Sequence, residues 1–156
     1  MRSWRIVEDD LSGAAIRALL EVHFAGMLAN SPAGSCHFLD FDGLNAADVT
    51  FWSIHSGDQL AGCGALKMLD AGHGEIKSMR TADAFLRQGV AARMLDHMIA
   101  EARGRGLKRL SLETGSGAAF EPAIALYRRY GFDDCEPFAD YKRDPFSRFM
   151  TRALSV

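Results

Sequence analysis

An α/β (α+β) fold, with helices packed on a mixed sheet, is what the sequence predicts. Two observations carry the prediction. Apolar residues switch repeatedly between alternate spacing and 3.6-residue spacing along the chain. Turn formers, chiefly glycine with Asp, Ser or Asn, fall where one spacing gives way to the other.

Trp4 to Glu8 reads as a short first strand. Ser12 is placed to cap a helix in which Ile16, Leu19, Leu20, Phe24, Met27 and Leu28 recur at helical spacing, ending near Asn30. Asn30-Ser31-Pro32-Ala33-Gly34-Ser35 has loop composition. Val49–His55 and Leu60–Met68 are rich in strand formers, and Ser56-Gly57-Asp58 between them suits a hairpin turn. A strand over Glu75–Thr81 precedes a second helix, marked by Val90, Met94, Leu95, Met98 and Ile99 and stopped by Gly104 and Gly106. Leu107–Glu113 alternates Leu110 and Leu112 with Arg109, Ser111 and Glu113, as a half-buried strand does. A third helix covers Glu121–Tyr130 and stops at Gly131; strands near Phe132–Glu136 and Ser147–Leu154 follow. The strand–helix–strand unit from Glu75 to Glu113 is expected to be a parallel crossover.

The 156 residues suffice for one domain with a real core, so 1–156 is taken as a single domain. The chain is 48% hydrophobic and 24% charged, with a net charge of −2. That balance gives no electrostatic case for nucleic acid or for an anionic membrane. Cys36, Cys63 and Cys135 are too few and too scattered for a disulfide framework and suit a reducing compartment. The opening residues lack the apolar run of a signal peptide, and no stretch approaches the ~20 apolar residues of a spanning helix. A cytoplasmic protein is therefore expected.

The junction at Arg87-Gln88-Gly89-Val90-Ala91 carries the most chemistry. A helix starts there with small residues, so an anion can approach its unpaired N–H groups. Taken alone, the junction reads first as a plain helix start. It is neither a Walker loop nor a G-x-G-x-x-G fingerprint.

Leu86-Arg87-Gln88-Gly89-Val90-Ala91, following Glu75-Ile76-Lys77-Ser78-Met79-Arg80-Thr81, resembles the cofactor motif Gln/Arg-x-x-Gly-x-Gly/Ala of the GNAT superfamily of N-acetyltransferases. Ala123-Ile124-Ala125-Leu126-Tyr127-Arg128-Arg129-Tyr130-Gly131-Phe132 resembles that family's Ala-x-x-x-Tyr-x-x-x-Gly-Phe run. The likeness covers about residues 50 to 135. Two positions depart from the pattern: Leu86 stands where Gln or Arg is usual, and Phe120 where Asn is often found. Lys77-Ser78-Met79-Arg80-Thr81, Glu113-Thr114-Gly115-Ser116 and Phe138-Ala139-Asp140-Tyr141 resemble a bacterial subgroup of the family without an established acceptor.

The resemblance implies a mostly antiparallel sheet whose parallel strand pair splays around acetyl-CoA as co-substrate, with no metal. It implies that the main chain of Met79, Arg80 and Thr81 runs along the pantetheine arm. Amides of Gln88, Gly89, Val90, Ala91 and Ala92 would hold the pyrophosphate, and Arg87 would add charge, unless it is simply a solvated arginine. Tyr127 is implied as the proton donor to the departing thiolate; a core aromatic is the plainer description. Glu75 is the first choice for the base, against a carboxylate merely paired with Lys77, and Glu113 is the runner-up. Alternate spacing sets Glu75, Lys77, Met79 and Thr81 on one strand face.

His37 and His73 have suitable unperturbed pKa values but fall in expected loops. Cys63, between two glycines, reads as a buried thiol, and Cys36-His37 with His55 or His73 matches no metal template. The acceptor is expected to be a primary amine of a small molecule or peptide, selected by residues 28–48 and 138–148. Asp40, Asp42, Asp140 and Asp144 would suit a cationic amine; Lys77 and Arg80 would suit an acceptor carboxylate. The alternatives are a domain that senses acyl-CoA without turnover, or transfer of another acyl group, for which Gly62, Gly64 and Ala65 would leave room. Phe146, Phe149 and Met150 offer apolar surface for a homodimer.

Overall fold

The computed structural model describes residues 3–32 and 39–154. In chain order the elements are β1 (Arg5–Glu8), α1 (Ala14–Asn30), α2 (Phe41–Leu44), β2 (Val49–Ser56), β3 (Gln59–Asp70), β4 (His73–Thr81), α3 (Val90–Gly104), β5 (Arg109–Thr114), α4 (Glu121–Arg129), β6 (Asp133–Asp134) and β7 (Arg148–Ala153). The expected order is present, with one addition: the single-turn α2, which Asp40 caps by accepting from the Gly43 amide. Short 3₁₀ turns at Asp83–Phe85 and Ala118–Phe120 lead into α3 and α4.

The strands form a seven-stranded sheet in the order β1-β2-β3-β4-β5-β7-β6. Every pair is antiparallel except β4 with β5, joined through α3. Their parallel ladder runs from His73↔Arg109 to Ile76↔Leu112. Beyond it β4 continues to Thr81 and β5 to Thr114 without pairing to each other, so the two strands part. Adjacent backbones that separate leave N–H and C=O groups open along the gap.

Helices cover both faces. Trp52, Ile54, Leu66 and Ile76 pack with α3 and α4 on one face. Phe51, Cys63 and Ala65 pack with α1 and the α2 residue Leu44 on the other. This two-sided cover explains β5: Ser111 is buried along with Leu110 and Leu112, so the strand expected to be half-buried is enclosed on both faces. Gly62 and Gly64 let α3 lie close on β3. A Cβ at Gly64 would sit 2.9 Å from Met94 Cγ, and one at Gly62 would sit 2.9 Å from Val90 Cγ1 and 2.7 Å from the Arg80 carbonyl oxygen. The space beside these two glycines is filled by α3 and β4.

Two local expectations are corrected. Ser12 does not cap α1: Gly13 holds that position, and the Ser12 hydroxyl bonds Asp10 instead. The face assignment in β4 fails at Ser78. Cys63 pairs with Arg80 and Ala65 with Lys77, so Ser78 and Met79 together oppose Gly64, and Ser78 takes a left-handed φ of 55°. This bulge reverses the alternation. Glu75, Lys77 and Arg80 share one face, while Met79 turns to the other and lies 3.1 Å from where a Gly64 Cβ would be.

No helix among the described residues is long and apolar enough to cross a membrane. Phe149 and Met150 are core residues, and Phe146 packs edge-on against Phe120 at 5.4 Å, so all three are engaged within the chain. Ala33, Gly34, Ser35, Cys36 and His37 lie outside the described residues.

Candidate active site

The gap between β4 and β5 opens into a cleft of about 230 Å³. Its walls come from β4 (Ile76 to Arg80), β5 (Leu112 to Thr114), α4 (Ala123, Tyr127) and the inner face of α1 (His23, Gly26, Met27, Asn30). A second groove, of about 630 Å³, runs from Met79, Arg80 and Thr81 past Leu86, Arg87 and Gly89 to the first turn of α3 at Val90, Ala91 and Ala92. The two share Met79, Arg80, Ala119, Ala123 and Tyr127. Cleft and groove therefore adjoin along these five residues, Tyr127 among them.

The groove end is built for an anion. Gly89 adopts φ 85°, ψ 13° as the N-cap of α3, and no side chain caps that terminus. Its carbonyl accepts from Arg93 N–H at 3.0 Å, which leaves the earlier amides without helical partners. A Cβ at Gly89 would meet nothing within 4 Å, so the approach is open. Arg87 is also left-handed, at φ 62°, and lines the groove. Non-glycine residues in that region cost about 1–3 kcal/mol and cluster where a site needs them. Ser78 lines the cleft and Arg87 the groove.

Tyr127 is 7% exposed, packs edge-on against Phe132 at 5.9 Å, and has its phenol pushed up to about 12 by burial. It therefore stays protonated at neutral pH and is able to donate. Glu113, half-buried on β5, lines the same cleft. Burial raises its carboxyl to about 7, while Lys77, which also lines the cleft, pulls the other way.

Glu75 stands elsewhere. It is 2% exposed, its Oε2 accepts from Lys77 Nζ at 3.1 Å and from the Tyr141 hydroxyl at 2.5 Å, and Lys77 Nζ donates to Tyr141 Oη at 2.7 Å. This closed triangle faces a separate cavity of about 890 Å³ lined by Asp48, Asp140 and Asp144. Burial first, and then Glu75, raise the Tyr141 phenol. The carboxylate is thus paired with Lys77, as the plainer description of it had it.

His73 is not in a loop. It opens β4, its Nε2 lies 2.6 Å from Ser111 Oγ, and its ring packs against Phe138. Cys63 is buried, and burial lifts its thiol to about 12, which leaves no thiolate for covalent chemistry. Among the described residues no group of three or more His, Cys, Asp or Glu is placed to hold a metal ion. The α1 wall was not anticipated. Its signal was a polar residue, His23, on the apolar stripe that Ile16 and Leu20 define.

Residues 15–132 match the model of the Acetyltransferase (GNAT) family. The chain belongs to the GNAT acetyltransferase family. It is 56% identical over 146 residues to a Bacillus subtilis (strain 168) relative named as the uncharacterized N-acetyltransferase YsnE, covering 94% of this chain and 97% of that one. It is 54% identical over 149 residues to an Escherichia coli (strain K12) relative named as the uncharacterized N-acetyltransferase YedL, covering 96% and 94%. A solved structure from Klebsiella pneumoniae subsp. pneumoniae, assigned to the acyl-CoA N-acyltransferases, superposes with a TM-score of 0.79 at 29% identity, covering 97% of this chain and 98% of that one. Membership makes this GNAT chain an acyl-transferring enzyme of the N-acetyltransferase type.

Proposed function

We propose that this chain moves an acetyl group from acetyl-CoA directly to a primary amine of a small molecule or peptide, both bound where cleft and groove adjoin at Tyr127. The observation that carries the reading is the shared wall. A groove with open amides at one end meets a cleft that holds a proton donor and a near-neutral carboxylate. The donor set fits acetyl-CoA. Amides of Gln88 to Ala92, with Arg87, suit a pyrophosphate, and the unpaired β4 edge at Met79, Arg80 and Thr81 suits an extended polar arm. Leu86 is 53% exposed on the groove and supplies no polar contact, so main-chain donors carry the anion.

Acetyl-CoA supplies an activated thioester. The chain's part is to orient the amine, take its proton and return one to sulfur. The amine nitrogen bonds to the carbonyl carbon as the carbon–sulfur bond breaks. Its proton passes to the Glu113 carboxylate, and the Tyr127 hydroxyl protonates the leaving thiolate. Glu113 suits the base role better than Glu75, because it lines the Tyr127 cleft and its carboxyl sits near neutrality, whereas Glu75 is held by Lys77 and Tyr141. A single domain working in a reducing cytoplasm is consistent with the free thiols Cys63 and Cys135.

The test is release of CoA thiol from acetyl-CoA across a panel of amines. Tyr127→Phe is expected to lower kcat by about 10²-fold with little change in the KM for acetyl-CoA. Unaltered kcat in that variant, on every amine turned over, would remove Tyr127 from the chemistry.

A further inference from the structure

The cleft wall facing Tyr127 is polar where its helix should be apolar. His23 falls on the buried stripe of α1 and is 7% exposed, yet its Nδ1 has no hydrogen-bond partner among the described residues. Leaving a buried polar atom unsatisfied is costly, so a helix keeps one where something else completes it. Burial first, and then the nearby Arg80, push its pKa down to about 4. The ring is therefore neutral, with one N–H to give.

Arg80 lies beside it. The bulge at Ser78 turns its side chain to the α1 face. A Cβ at Gly26 would be 3.4 Å from Arg80 Nη1 and 3.9 Å from Nη2, so the guanidinium lies against α1 at this residue. The Arg80 guanidinium has no ion pair among the described residues, while the Lys77 ammonium is engaged with Glu75 and Tyr141.

The acids that would suit a cationic acceptor are placed elsewhere. Asp40 caps α2, and Asp140 and Asp144 face the separate cavity. Glu113 is the acid lining the cleft.

We propose that Arg80 and His23 form a carboxylate subsite, so that the acceptor is an amine that also carries a carboxylate, an amino acid rather than a polyamine. The fork of Arg80 pairs with both carboxylate oxygens, and His23 donates a further hydrogen bond to one of them. The amine is then left to reach Glu113 and Tyr127 across the cleft. The inference rests on acetyl transfer occurring in this cleft.

The experiment compares α-, β- and ω-amino acids with their decarboxylated amines and their carboxamides, following CoA release by the full-length chain. The wild type is expected to favour the carboxylate-bearing member of a pair by roughly 100-fold in kcat/KM. Arg80→Gln should erase that preference by raising the acceptor KM while the KM for acetyl-CoA stays within about two-fold. His23→Phe should weaken the preference in the same direction, with His23→Gln restoring part of it. Equal or better turnover of the decarboxylated amines overturns the carboxylate subsite and leaves acetyl transfer standing. A rise in the KM for acetyl-CoA in Arg80→Gln, with acceptor preference kept, assigns Arg80 to the cofactor and also overturns it. No turnover of any amine overturns both readings.

Discussion

At the scale of single residues, the site is a matter of which carboxylate is free to act. Glu75 and Glu113 stand on neighbouring strands, but only Glu113 shares a cleft with Tyr127. Its raised pKa carries a signed prediction. A carboxyl at about 7 is increasingly ionised as pH rises, and only the ionised form accepts a proton. The wild-type kcat/KM should rise through pH ~7 and level off above it. Glu113→Gln should be flat over that range and lower by about 10²–10⁴-fold. A Glu113→Gln enzyme that keeps the rising limb would send the base role to another group or to water. Composition and spacing left the two acids open because the hold on Glu75 is completed by Tyr141, which is 66 residues distant from it in sequence. The role of Ser78 was equally hidden. Nothing in Lys77-Ser78-Met79 announces a left-handed serine, and the simple alternation rule therefore misplaced Met79.

Among the elements, helix starts and strand ends matter most. Strands β2 to β5 and helices α3 and α4 were legible because their apolar periods are long and glycines close them: Gly106 follows α3 at φ 79° and Gly131 follows α4 at φ 86°. The single-turn α2 was not, since four residues hold too little periodicity to read. The α1 wall was half legible. Its stripe could be seen, whereas the meaning of a histidine within it required the partner strand. Gly89 supplies the prediction at this scale. Alanine at φ 85° costs about 1–2 kcal/mol even though a Cβ there would touch nothing. Gly89→Ala should lower the Tm by roughly 2–8 °C and raise the KM for acetyl-CoA, read by thermal melting and steady-state kinetics. Unchanged values of both would show that neither the left-handed cap nor its amides matter to the groove.

Across the whole molecule, the topology places the cleft and the groove side by side, as the proposed transfer requires. The parallel β4–β5 ladder ends at Ile76 and Leu112, and the gap beyond it is lined by residues of α1, α4 and α3. The proposed direct transfer has co-substrate and acceptor meet at Tyr127 without an enzyme-bound acyl group. Cys63, the described thiol nearest the groove, is buried and raised to about 12, which removes it as a carrier. The most direct test is therefore an initial-rate study in which acetyl-CoA and a turned-over amine are both varied. Direct transfer predicts intersecting double-reciprocal lines, as a ternary complex requires. Parallel lines, with acetylated enzyme trapped in the absence of amine, would contradict the account.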